Sequence, residues 1–146
     1  MPSGCLFCVK ADEPDEEAHI LHRGDRCYVL LNRFPYNNGH LMVAPYEHVA
    51  SLEDLDFETL AELMALVKRG LGVLRGAYQP EGFNVGANIG AAAGAGVEDH
   101  LHVHIVPRWA GDTNYMTTVG KTRTIPEWIE ETYNQLRPLF DQRDEH

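Results

Sequence analysis

Apolar residues recur along this chain with two different periods, and the periods divide it into strands and helices. Cys27-Tyr28-Val29-Leu30-Leu31 is a compact apolar and β-branched run closed by Asn32. Leu41-Met42-Val43-Ala44 follows the turn signal Asn37-Asn38-Gly39, so both runs read as strands. Phe83 to Ile89 alternates weakly. His100-Leu101-His102-Val103-His104-Ile105-Val106 alternates strictly up to Pro107, which puts three histidines on one face and Leu101, Val103 and Ile105 on the other. Between these runs the period changes. From Phe57 to about Tyr78, residues Leu60, Leu63, Met64, Val67, Leu71, Leu74 and Tyr78 form one stripe, with Asp56 as the predicted N-cap. Gly70, Gly72 and Gly76 weaken its second half by up to ~1 kcal/mol each relative to Ala. A second helix is expected from Pro126 to Leu136 after the capping pattern Thr124-x-x-Glu127, with Trp128, Ile129, Tyr133 and Leu136 turned inward. The acidic stretch Asp12 to Glu17, broken by Pro14, reads as a solvated loop or a helix start. The pattern predicts an α+β fold, an antiparallel sheet of about five strands with two main helices.

The chain has 146 residues, 44% hydrophobic and 23% charged, which fits one globular domain over residues 1–146 without repeat or linker. Twelve basic residues against 22 acidic ones leave a net charge of −10. That balance argues against a protein that wraps nucleic acid, while a nucleotide substrate in one locally positive pocket stays open. No export signal opens the chain and no apolar run is long enough for a membrane span. With three cysteines, the expectation is a reducing, cytoplasmic setting in which thiols pack or bind metal.

The histidine face admits three explanations: chance clustering on a solvated surface, a metal-binding face, or nucleophilic catalysis at phosphorus. The segment upstream favours the last. Asn88-Ile-Gly-Ala-Ala-Ala-Gly-Ala-Gly-Val97 carries almost no side chains, so its backbone N–H groups can approach phosphate oxygens closely. Glycine alone would equally mark tight turns; joined to the histidine strand, the loop becomes a strong signal.

His100-Leu-His102-Val-His104-Ile-Val-Pro107-Arg108 resembles the signature of the histidine-triad (HIT) family of nucleotide hydrolases and transferases. Asn32-Arg-Phe-Pro-Tyr-Asn-Asn-Gly39-His40 resembles its nucleoside and phosphate segment, and the order of segments is also similar. Pro107-Arg108 and the stretch through Asp112, Asn114 and Tyr115 resemble the branch acting on dinucleoside polyphosphates of the diadenosine tetraphosphate type. The resemblance implies a HIT-like dimerising fold and a covalent nucleotidyl-histidine route, with phosphate or water as acceptor. It implies that His102 attacks the α-phosphorus and that His104 contacts the phosphate or protonates the departing oxygen. Asn88 and the backbone of Gly94, Ala95 and Gly96 would hold phosphate oxygens, His40 would line the pocket, and Asn32 would reach the ribose. Gly96 and Val97 stand where several members have Gln or Ser, which leaves room for an acceptor other than water. A nucleoside phosphoramidase and a non-catalytic nucleotide-binding adaptor are the alternatives.

Cys5-Leu-Phe-Cys8 admits a redox pair, two core thiols, or half of a zinc site. The resemblance implies the last, structural zinc, with His48 and His100 as the remaining ligands. Cys27 reads as a packed thiol, His19 and His22 as surface or structural residues, and His146 as a tail residue. Trp109 and Tyr115 could stack on a base or close the core. Arg108 could meet a distal phosphate or pair with an acid.

Overall fold

The computed structural model describes residues 4–32, 39–95, 99–111 and 128–142. Its centre is a five-stranded antiparallel sheet of β1 (Ile20–Arg23), β2 (Cys27–Leu31), β3 (Leu41–Pro45), β4 (Gly82–Gly86) and β5 (Val103–Arg108). The strand order is β1-β2-β3-β5-β4. Among the described residues four α-helices accompany it: α1 (Leu6–Ala11), α2 (Asp15–Ala18), α3 (Phe57–Tyr78) and α4 (Ile129–Asp141).

The sheet is covered on both faces. Leu21, Val29, Leu31, Leu41, Val43, Val103 and Ile105 join α3 and α4 in the larger core. Ile20, Tyr28, Leu30, Met42 and Ala44 point the other way, under Cys5, Phe7 and Cys8. Double coverage explains why β1, β2 and β3 carry apolar residues on both faces rather than alternating. It also explains why β1 escapes the sequence pattern: only Ile20 and Leu21 are apolar, and each serves a different core. The acidic stretch does start a helix, α2, behind Pro14.

Helix α3 has the expected span, and Asp56 caps it by accepting from the Thr59 N–H at 2.8 Å. Its buried stripe is rotated from the expected one, because Leu66 and Gly70 face the sheet while Met64 is half exposed. Gly70 is the reason. A Cβ there would meet Ile105 Cδ1 at 2.9 Å, so the glycine lets the helix axis come down onto β5. Glu62 pins the β1–β2 turn from the same helix, its Oε2 accepting from the Arg26 and Cys27 N–H groups at 2.9 Å each.

Helix α4 runs past Leu136 to Asp141 although it contains Pro138, and it buries Phe140 completely. Trp128, expected inward, is instead its exposed N-cap residue, while Tyr133 and Leu136 are buried as expected. The Thr124-x-x-Glu127 pattern, Asp112, Asn114, Tyr115, Val97 and His146 lie outside the described residues. Among the described residues no helix is long and apolar enough to cross a membrane.

Candidate active site and metal centre

β5 is paired so that His104 stands opposite Met42 on β3 and Gly86 on β4. Antiparallel partners share a face, so His104 lies on the face covered by α1, and β4 contributes no side chain beside it. The strand itself begins at Val103 rather than at His100. The segment before it is held differently: the Leu101 N–H donates to the Val49 carbonyl at 2.7 Å, with Asp99 at a positive φ of 48°. Leu101, Val103 and Ile105 are buried in the core as the alternation predicts.

A carbonyl oxygen only accepts, so it fixes the protonation of an imidazole bonded to it. His102 Nδ1 is 2.8 Å from the His100 carbonyl, so Nδ1 carries the proton and Nε2 keeps its lone pair. The Asn32 amide donates to His40 Nδ1 at 3.0 Å, and His40 Nε2 meets His104 Nδ1 at 2.8 Å. Following the donors along that chain, His40 donates through Nε2 and His104 presents an Nε2–H. The His102 and His104 rings meet edge-to-face, 4.7 Å between centroids. The site therefore holds one imidazole nitrogen with a free pair beside one imidazole N–H, the complementary halves of a displacement.

Burial lowers the pKa of all three rings. For His102 burial outweighs the opposing bond to the His100 carbonyl, and for His104 the charge of His102 adds to burial. His40 is driven down to about 4 by burial first, then by His104 and His102. The neutral forms required by the hydrogen-bond chain are thus those present at neutral pH. The same shift makes stability pH-dependent. Unfolded, His40 takes up a proton near its ordinary value; folded, it does so only near 4. Stability falls as pH drops through that interval, on the order of 3 kcal/mol from this residue. Urea denaturation at pH 7 and pH 4.5 should show a smaller acid-side loss in His40→Asn than in the parent; equal losses would contradict this account.

The glycine-rich loop leaves β4 after Gly86, beside His104. It forms a 3-10 turn over Ala91–Ala93 between Gly90 and Gly94, both at positive φ. The Gly94 N–H donates to the Ala91 carbonyl at 3.0 Å and the Ala95 N–H to Gly90 at 3.1 Å. A Cβ on Gly94 would lie 3.7 Å from Asn88 Nδ2, so the structure brings those two residues together. Gly96 lies outside the described residues.

Cys5, Cys8, His48 and His100 converge, with one ligand atom from each within 4.8 Å of the others. His100 Nδ1 is 3.2 Å from Cys5 Sγ, 3.6 Å from Cys8 Sγ and 3.1 Å from His48 Nδ1. His48 Nδ1 lies 3.5 Å from Cys8 Sγ. The edges of a tetrahedron with metal–nitrogen near 2.0 Å and metal–sulfur near 2.3 Å run from about 3.3 to 3.8 Å, so the four donors fit one divalent ion. The outer contact fits as well. His100 Nε2 is 2.8 Å from the Pro45 carbonyl, which places its proton there and turns the Nδ1 lone pair toward the cluster. Burial and then the Cys5 thiol push Cys8 up to about 11, a cost that a bound cation would reverse by stabilising the thiolate.

Phe7, passed over in the sequence, also belongs here. Its ring stacks on His102 at 4.5 Å between centroids and lies 5.3 Å from His100. Its position between the two cysteines was the available signal. Cys27 packs as expected, its thiol pointing to the Thr59 carbonyl at 3.8 Å. His19 is buried near Glu130 and His22 stacks on Phe140, both structural placements. Arg108 donates to the side-chain oxygen of Asn84.

A five-stranded antiparallel domain with paired, hydrogen-bonded histidines beside a Cys2His2 cluster defines the class. Residues 13–111 match the HIT domain model, and the chain belongs to that family. It is 48% identical over 122 residues to the AP-4-A phosphorylase of Mycobacterium tuberculosis, covering 84% of this chain and 63% of that protein. This chain thus spans less than two thirds of that relative's length. It is 36% identical to the adenosine 5'-monophosphoramidase hnt1 of Schizosaccharomyces pombe, over 71% of this chain and 74% of that one. A Zn-bound histidine triad family protein from Mycobacterium smegmatis superposes with a TM-score of 0.73 at 31% identity, over 95% and 94% of the two chains.

Proposed function

We propose that this chain is a single-domain enzyme transferring a nucleotidyl group from a dinucleoside polyphosphate of the diadenosine tetraphosphate type to phosphate or water. The observation that carries the reading is the bond from His102 Nδ1 to the His100 carbonyl, which leaves Nε2 free to attack. In the first step Nε2 forms a bond to the α-phosphorus, and the bond from phosphorus to the bridging oxygen breaks. The Nε2–H of His104 donates to the departing oxygen, and the Asn32–His40 chain holds that ring in the donating tautomer. Phosphate or water then attacks phosphorus and frees His102.

Asn88 and the Gly94-Ala95-Gly96 backbone hold phosphate oxygens, with Gly94 and Ala95 exchanging their loop-internal bonds for the substrate. Asn32 also reaches the ribose, and His40 lines the pocket. Preorganised donors around phosphorus supply much of the rate, since charge spreads over its oxygens in the transition state. Zinc is held by Cys5, Cys8, His48 and His100, where it supplies structure rather than Lewis acidity, because four protein ligands leave no open position. The protein works in the cytoplasm as a homodimer, with no nucleic acid or membrane partner. The 48% identity to the AP-4-A phosphorylase favours phosphate as acceptor; the likeness to the S. pombe phosphoramidase supports a second reading, release of AMP from a phosphoramidate.

Products from diadenosine tetraphosphate decide between them. ADP plus ATP, formed only when inorganic phosphate is present, is the expected result. AMP plus ATP without phosphate would make water the acceptor. No turnover in either condition, with AMP released from an adenosine phosphoramidate, would overturn the reading.

A further inference from the structure

We infer that Phe7 is a positioning residue for His102: its ring fixes the plane of the nucleophilic imidazole and stabilises the positive charge that the imidazole acquires on attack. The inference rests on the nucleotidyl-His102 reading and adds to it a residue outside the histidine and glycine motifs.

The geometry leaves Phe7 little freedom. It is buried at 6% exposure, and the Tyr28 hydroxyl donates to its carbonyl at 2.6 Å. Cys5 caps α1 through its sulfur, which accepts from the Cys8 N–H at 3.4 Å, so Phe7 sits inside the turn that presents both thiols. From there its ring stacks on His102 at an interplanar angle of 30°. One hydrogen bond at Nδ1 leaves an imidazole free to swing about that bond. The stacked ring removes this freedom and so directs Nε2.

The charge argument is separate. When the Nε2 lone pair forms the bond to phosphorus, the electron pair of the broken phosphorus–oxygen bond leaves with the polyphosphate. Nδ1 keeps its proton on the His100 carbonyl, so the ring becomes an N-phosphorylated imidazolium cation. An aromatic face carries negative quadrupole density and attracts a stacked cation more than a neutral ring. The contact therefore strengthens during the step, which is the condition for raising kcat rather than affinity. A leucine at position 7 would fill most of the space and supply none of this.

The test compares Phe7→Leu and Phe7→Tyr with the parent, each carrying its full metal content. Formation of the nucleotidyl enzyme, followed by rapid quench with labelled diadenosine tetraphosphate, should slow about tenfold in Phe7→Leu with KM within twofold. Phe7→Tyr should restore most of the rate. A raised KM at unchanged kcat would overturn the inference by placing the ring against the nucleoside, and an unchanged rate would overturn it outright. A second measurement needs no turnover. The His102 ring-proton resonances, identified by their loss in His102→Ala, should lie upfield under the Phe7 ring current and move back in Phe7→Leu. Resonances at the same position in both chains overturn the inference whatever the kinetics show. Failure of the parent to form a nucleotidyl enzyme, with the ring-current shift present, would instead sink the function proposed above and leave the contact standing.

Discussion

His102→Ala should abolish nucleotide turnover, lowering kcat roughly 10⁴-fold or more, while nucleotide affinity changes only a few-fold. Removal of a covalent nucleophile eliminates the two-step route, and what remains is the contribution of binding and oxyanion stabilisation. The substitution is mild structurally. His102 makes its hydrogen bond to a carbonyl two residues earlier in the segment just before β5, and its ring is only half buried. Stability should therefore fall far less than activity. Quenched at alkaline pH, where a phosphorus–nitrogen bond survives, the parent should show the added mass of one nucleotidyl group and the variant none. Turnover retained within tenfold would remove His102 from the mechanism. Parent and variant that bind nucleotide alike, with neither turning over, would favour the adaptor reading.

His104 and His40 illustrate what the sequence could and could not show. Alternation along residues 100–106 placed three histidines on one face, and the packing of Leu101, Val103 and Ile105 agrees. That His40 reaches His104 depends on the β3–β5 register, Met42 against His104, which no local pattern encodes. Helix α3 was legible because 22 residues give an amphipathic period many turns to declare itself, and because Asp56 is a strong cap. Its rotation was not, since a helical glycine signals weakness by sequence, whereas at Gly70 a Cβ would meet Ile105 Cδ1 at 2.9 Å and its absence lets the helix come close to the sheet. Helix α1 is six residues long, too short for a period, and its cap is a cysteine. Trp128 is expected inward together with Tyr133 and Leu136, but it stands at the helix entrance, where the stripe does not yet apply.

The cysteine–histidine cluster was legible only through family resemblance. His48 and His100 lie 40 and 92 residues from Cys8, and separations of that kind carry no local signal. The structure adds why these four positions meet. Pro45 ends β3 and offers its carbonyl to His100, which stands just before β5, while β2 and β3 form the floor on which α1 rests. The Cys–His cluster thus joins the N-terminal turn to the segment that carries His102.

From that placement follows the second large effect. Cys5→Ala/Cys8→Ala should lose its zinc entirely and several kcal/mol of stability, with the damage concentrated on the α1 face of the sheet. Structural zinc contributes about 10–16 kcal/mol of apparent binding energy in small metal-dependent folds. Here the large core under α3 and α4 is independent of the site, so only part of that is at stake. Without the metal, Cys5, Cys8 and His100 are left as a buried polar group beside the exposed His48, the Cys8 thiol resists ionisation, and α1 retains Phe7, the Tyr28 bond and the Arg23 bond to the Ala11 carbonyl among its ties. Hydrogen exchange should therefore quicken in α1 and around His100 while α3 stays protected. Elemental analysis should find one zinc per parent chain and none in the double variant. A strong chelator applied to the parent should reproduce the exchange pattern and lower the thermal midpoint. Zinc content equal in the two chains would remove Cys5 and Cys8 from the site. Metal loss with α1 exchange unchanged would show that packing alone holds the turn, and the metal would then have no part in placing Phe7 against His102.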